Sequence, residues 1–206
     1  MKRNKVIFIH VLVFLFFIQS FSQKIDQIVN KEIYTSYYST ELKVPLYVVY
    51  YLNNGGGDYP RDKLRFIEGF KTAKNSDYSK SGYDRGHLVS AEDFAFDYRK
   101  ESLTFSYYNC FPQTRKLNRG SWKVWENTIR TESKKWPLKI YTGGIYSQNK
   151  IRGRIGIPDY CWKVVYNQKS SDAFGLGGNK LAYAMSKAGV DIGEATKKAK
   201  DDIGKP

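Results

Sequence analysis

The sequence predicts one α+β or mixed α/β domain, on three observations. Segments with strand character stand at residues 37–52, rich in tyrosine and valine, and at residues 138–142 and 160–166. A single amphipathic pattern of helical period runs from Asn118 to about Lys135. Irregular glycine, proline and polar connections separate these segments, and no repeat or low-complexity tract interrupts them.

The elements follow in order. Lys2, Arg3 and Lys5 precede an apolar run over residues 6–18, and Ser20-Phe21-Ser22 offers small residues where a signal peptidase reads, so residues 1–22 are expected to be a secretory leader. The run is short for a membrane span, and no later stretch is apolar enough for one. Residues 23–206 are then a single domain in the periplasm or outside the cell, with no stable membrane association.

Residues 37–52 read as a strand pair broken by Pro45, and residues 53–60 as a flexible turn that lacks the lysine of a phosphate loop. Residues 61–80 are polar and basic and should cross the surface, with some of the basic side chains facing substrate. Residues 91–94 suggest a helical turn. Residues 103–110 alternate well enough for a strand with Leu103, Phe105, Tyr107 and Asn109 on one face, ended at Phe111-Pro112.

On a helical wheel started at Asn118, Trp125, Ile129 and Trp122 fall within about 60° of arc, while Glu126 and Arg130 lie on the rim at roughly 80° and 120°. The rim pair is either an i,i+4 salt bridge or a charged wall of a cleft. Two strands follow, residues 138–142 ended by Gly143-Gly144, and residues 160–166 entered through Pro158-Asp159. Beyond residue 170 a lysine- and alanine-rich stretch, residues 180–200, reads as helical.

Composition narrows the chemistry. The formal net charge is +14, with three of the positive charges in the leader, and 17 tyrosines accompany it, a combination suited to a polyanionic partner. Cys110 and Cys161 leave a disulfide and two free thiols equally open. Once the leader is removed, His87 is the one histidine left. With two widely separated cysteines it makes no tetrahedral zinc set, so any metal must be held by oxygen ligands. Histidine alone titrates near neutrality, which makes His87 a candidate general base; position alone favours the blander role of completing a hydrogen-bond network.

Three blocks decide between those roles: Tyr83-Asp84-Arg85-Gly86-His87-Leu88, then Asn109-Cys110-Phe111-Pro112-Gln113, then Asn118-Arg119-Gly120-Ser121-Trp122 with Glu126 and Arg130. In this order and spacing they resemble the signature blocks of the DNA/RNA non-specific endonucleases of the ββα-metal class. Tyr37-Tyr38, Pro45, Thr142-Gly143, Pro158-Asp159-Tyr160 and Lys163 extend the resemblance across residues 37–166.

The resemblance implies an α+β, ββα-metal fold with a central, mostly antiparallel sheet flanked by helices. It implies hydrolysis of DNA and RNA with little sequence preference, leaving 5′-phosphate ends. His87 would be the general base and Asn118 the direct protein ligand of one Mg²⁺, with Mn²⁺ as a substitute. Glu126, eight residues on and about 12 Å along one helix, would reach the ion through water. Arg85 would stabilise charge on the phosphate, its bland alternative being a pair with Asp84. Asn109, Gln113 and Arg130 would shape the site or contact substrate. Residues 170–206 depart from the pattern. The rival reading is a catalytically silent secreted nucleic-acid or polyanion-binding protein, which retention of His87, Arg85, Asn118 and Glu126 together disfavours.

Overall fold

A computed structural model describes residues 23–167 and 181–186, with the side chains of the latter six left aside. The proposed leader and most of the tail lie outside the described residues. Three strands open the chain, β1 (Gln27–Lys31), β2 (Tyr34–Ser39) and β3 (Val44–Leu52), paired antiparallel in succession. The break between β2 and β3 falls at residues 40–43 and not at Pro45. Pro45 sits inside β3 opposite Tyr38, beside a register shift between Tyr37 and Tyr38. A proline cannot donate to the ladder, and a bulge is where a strand tolerates one.

Residues 53–80 cross the surface as anticipated, with only the short helix α1 (Asn75–Tyr78) regular. Next come β4 (Tyr83–His87) and the anticipated turn, a 3₁₀ segment at Ala91–Phe94. Residues 103–110 are not a strand. Helix α2 (Tyr98–Thr104) takes the first part, because the Asp97 carboxylate accepts hydrogen bonds from the amides of Arg99 and Lys100 and so starts a helix. A 3₁₀ turn, Tyr107–Asn109, leads into β5 (Cys110–Thr114). Pro112 does not end β5. It lies opposite Arg85 in a two-stranded ribbon of β4 and β5, where each strand has one open edge to receive a residue without an N–H.

The helix read over residues 118–135 is two helices. Thr114 caps α3 (Arg115–Arg119) through its hydroxyl, and α4 (Ser121–Ser133) starts afresh after Gly120. A Cβ on Gly120 would lie 2.4 Å from the Lys116 carbonyl oxygen, so the joint requires glycine. Trp122 and Ile129 are buried as the wheel predicts, and Trp125 is half-buried.

β6 (Leu138–Ile151) and β7 (Ile155–Asn167) form a long hairpin. Gly143-Gly144 continue β6, correcting their reading as a stop. A Cβ on Gly143 would meet the Leu46 carbonyl oxygen at 2.3 Å, so the glycine admits β3 at close range. β8 (Leu181–Ser186) pairs antiparallel with β7, so that part of the tail is strand and not helix.

The six-stranded sheet has the order β1-β2-β3-β6-β7-β8, antiparallel throughout. The β4–β5 ribbon and the two helices after it form the ββα unit. A core of Val48, Tyr50, Ile140, Phe111, Trp122 and Ile129 joins that unit to the sheet. Cys110 and Cys161 are buried free thiols. Asp97→Ala should lower the unfolding free energy by about 1 kcal/mol, read as a lower urea midpoint at unchanged slope.

Candidate active site

Within β4 the pleat puts Arg85 and His87, two residues apart, on one face. Both meet Phe66: the His87 ring lies 4.9 Å from it, and the Arg85 guanidinium sits 5.1 Å above it. Phe105 closes on His87 from another side, also at 4.9 Å. Between the two, Gly86 turns to Gln113, and a Cβ there would come within 2.1 Å of Gln113 Oε1. The glycine of the motif is thus a packing requirement of the ribbon.

Asp84 does not pair with Arg85. Its carboxylate accepts hydrogen bonds from Arg119 Nε (2.8 Å) and Nη2 (3.0 Å) and from Asn118 Nδ2 (3.1 Å). The Arg119 guanidinium, ahead of Asn118, holds the Asp84 carboxyl below the usual carboxylate range. This clamp ties α3 to β4 and commits the Asn118 amide nitrogen, leaving the amide oxygen as its ligand end. Arg85 instead donates from Nη1 to Asn75 Oδ1 at 2.8 Å.

His87, Asn118 and Glu126 line one cleft of about 380 Å³, together with the cations Arg61, Arg119 and Lys123. Arg85 belongs to the adjoining cleft, with Asn118 and Arg119 lining both. Because Gly120 divides the helices, the separation of Asn118 from Glu126 is set by the α3–α4 joint and not by the rise of one helix. Burial of the His87 ring, with Arg61, Lys163 and Arg85 nearby, lowers its pKa from 6.5 to about 3. Glu126 is pushed the other way, to about 7, by burial, against the pull of Lys163. Burial thus drives both groups towards their neutral forms.

The structure places the three remaining expected site residues beside or beneath the cleft. Asn109 is 0% exposed and spends its side chain on Val89 N, Val89 O and Thr104 O, so it braces the loop after His87. Gln113, 1% exposed, packs beneath Gly86. Both side chains are buried against the segment that carries His87. Arg130 bonds Asp93 Oδ1 (3.1 Å), Ser90 Oγ (3.2 Å) and Asn127 Oδ1 (2.8 Å), so its ion pairs are with Asp93 and Glu92 and not the i,i+4 bridge to Glu126. It acts as a brace under the cleft.

Sequence reasoning missed the Asp84–Arg119 clamp and gave no role to Asp93 or Lys163. Lys163 did carry a signal: it is a lone lysine in the apolar run Cys161-Trp162-Lys163-Val164-Val165.

The chain matches the family model for DNA/RNA non-specific endonucleases over residues 14–202. It belongs to that family. The match begins inside the proposed leader and runs through most of the tail that looked divergent. Human mitochondrial endonuclease G is 25% identical over 186 residues, covering 80% of this chain and 61% of its own length. A nuclease of Nostoc sp. is 33% identical over 113 residues, covering 53% of this chain and 41% of its own length. The chain therefore spans less than two thirds of the length of these relatives. A crystal structure of the EndoG/EndoGI inhibition complex superposes with a TM-score of 0.68 at 22% identity, covering 83% of this chain and 78% of that one, and so shares the α+β, ββα-metal fold.

Among the described residues of this family member, no group of three or more His, Cys, Asp and Glu side chains could cage a metal. The oxygens of Asn118 and Glu126 in one cleft form a sparse, hard donor set, which fits a largely hydrated divalent cation. In metal-free buffer, His87 protonation favours the unfolded chain. Its contribution to stability is whole above pH 6.5 and is lost as pH falls towards 3. Glu126 has the opposite sign, its contribution being lost as pH rises from 4.5 through about 7. Urea unfolding of His87→Gln should accordingly lose less stability between pH 7 and pH 4.5 than the unsubstituted protein; equal losses would contradict the burial of a neutral imidazole.

Proposed function

We propose that the chain is a metal-dependent endonuclease that hydrolyses phosphodiester bonds of DNA and RNA with little sequence preference. The observation that carries this reading is the meeting of His87, Asn118 and Glu126 in one cleft ringed by Arg61, Arg119 and Lys123. A base, oxygen ligands and a cationic rim are what phosphodiester hydrolysis needs in one place.

His87 lines the cleft, and its neutral ring takes the proton of the attacking water. Asn118 would hold Mg²⁺ directly and Glu126 would reach it through water, and Mn²⁺ would suit the same donors. When bound, the cation supplies positive charge over the scissile phosphate. Arg85 approaches the same phosphate from the adjoining cleft, braced on Phe66 and Asn75, and its planar fork opposes the charge that develops on the oxygens. The water oxygen bonds to phosphorus as the bond to the 3′ oxygen breaks; that oxygen takes a proton from solvent and leaves as a 3′-hydroxyl, and the other product carries a 5′-phosphate.

Sequence reading by the enzyme is not required. The cleft offers cations to the phosphate backbone, and no base-reading motif occurs in the chain. With residues 1–22 as leader, the enzyme works in the periplasm or outside the cell.

Plasmid DNA and total RNA incubated with the purified protein and Mg²⁺ should both be degraded, and chelator should stop degradation. His87→Ala should be slower by roughly 10²–10⁴-fold. Cleavage should weaken steeply between low and moderate salt. Equal activity of the His87→Ala protein, or undiminished activity in excess chelator, would refute the proposal.

A further inference from the structure

Lys163 is a buried side chain that neither the fold nor the proposed chemistry explains. It lies on β7, opposite Thr142 of β6, and is 2% exposed. Burying an ammonium is expensive, and a methionine of similar length would fill the space without that cost. Nζ is held by three contacts. Nζ donates to the Leu88 carbonyl at 2.6 Å, lies 3.8 Å from Glu126 Oε1, and sits 4.7 Å from the centre of the Trp122 ring.

Each contact leads to the cleft. Leu88 follows His87 directly, and the His87 carbonyl accepts a hydrogen bond from Trp122 Nε1 at 3.3 Å. Lys163 thus holds one of two consecutive carbonyls itself and stacks on the ring that holds the other. Its third contact is with the Glu126 carboxylate, from beneath the cleft. The ribbon carrying His87 has two strands, whereas Lys163 stands on a long strand paired with β6 on one side and β8 on the other.

We infer that Lys163 is a positioning residue that fixes the His87–Leu88 backbone and the Glu126 side chain relative to one another by one buried amino group anchored in the central sheet. This rests on the endonuclease reading above for its kinetic consequence, but not for its structural one. Lys163 itself lines neither cleft described above, so it acts through the groups it holds.

The test compares Lys163→Met with the unsubstituted full chain, both carrying His10→Gln so that His87 gives the sole imidazole signal. Lys163→Met should lower kcat by about tenfold or more with KM changed less than about threefold, because misplaced catalytic groups slow the reacting step more than phosphate binding. In metal-free protein, the ¹⁵N imidazole resonances of His87 and the Trp122 indole N–H resonance should both move. Against a Glu126→Gln background the same substitution should slow cleavage by clearly less than it does alone, since one of the groups it positions is already gone.

A Lys163→Met protein with a lowered Tm but unchanged kcat and unchanged His87 resonances would overturn the inference and leave Lys163 a purely structural residue. If Lys163→Met does not fold, Lys163→Gln, which keeps a donor for the Leu88 carbonyl, takes its place: a lowered kcat with moved resonances supports the positioning role, and neither change overturns it. Absence of cleavage by the unsubstituted protein would refute the endonuclease reading instead, and the resonance shifts would still decide the positioning role.

Discussion

Beneath the cleft, Asp93 is 1% exposed and joins three parts of the fold through one side group and its carbonyl. Its carboxylate accepts from Tyr50 Oη on β3 at 3.0 Å and from Arg130 Nε on α4 at 3.1 Å, while its carbonyl accepts from Gly56 N in the loop after β3. Arg130 also reaches Ser90, in the segment just after β4. A two-stranded ribbon is marginal by itself, so the β4–β5 pair depends on what lies behind it. The Asp93–Arg130 pair sets α4 against the His87 segment and thereby brings Glu126 into the cleft. Removing either partner of such a buried pair costs about 3–5 kcal/mol, far more than a surface bridge contributes.

The cleft above this brace is built from groups driven towards neutrality and groups that cannot lose charge. Burial lowers the His87 pKa and raises that of Glu126, while Arg61, Arg119 and Lys123 stand at the rim with Glu92, which pairs with Arg61. The cations exceed the carboxylate at that rim, and the imidazole beneath it is held neutral. Asp84 spends its charge on Arg119 and Asn118, so its role is the placement of α3.

Much of the site was legible because motif residues at fixed spacing carry both chemistry and position. His87, Asn118 and Glu126 meet as the ordered blocks implied, and Trp122 and Ile129 fill the core as the helical period implied. The errors have local causes. Alternation over residues 103–110 imitated a strand, while the decisive signal was the capping carboxylate of Asp97 upstream. Gly143-Gly144 looked like a stop because glycine usually weakens strands; here the missing side chain of Gly143 lets β3 and β6 approach, and that of Gly144 leaves room for Pro158 and the Tyr146 ring. Asn109 and Gln113 stand in blocks that resemble active-site signatures, yet only burial reveals that they face inward. Lys163 and Asp93 act through distant partners, and no local period encodes such contacts.

The central claim is that His87, Asn118 and Glu126 form one hydrolytic centre around a single oxygen-held cation. A crystal of the protein soaked in Mn²⁺ and measured at the manganese absorption edge tests it most directly. The account predicts one strong anomalous peak in the cleft between Asn118 and Glu126, with none on the His87 imidazole. A peak bonded to His87, or occupancy only at a site remote from this cleft, would contradict it.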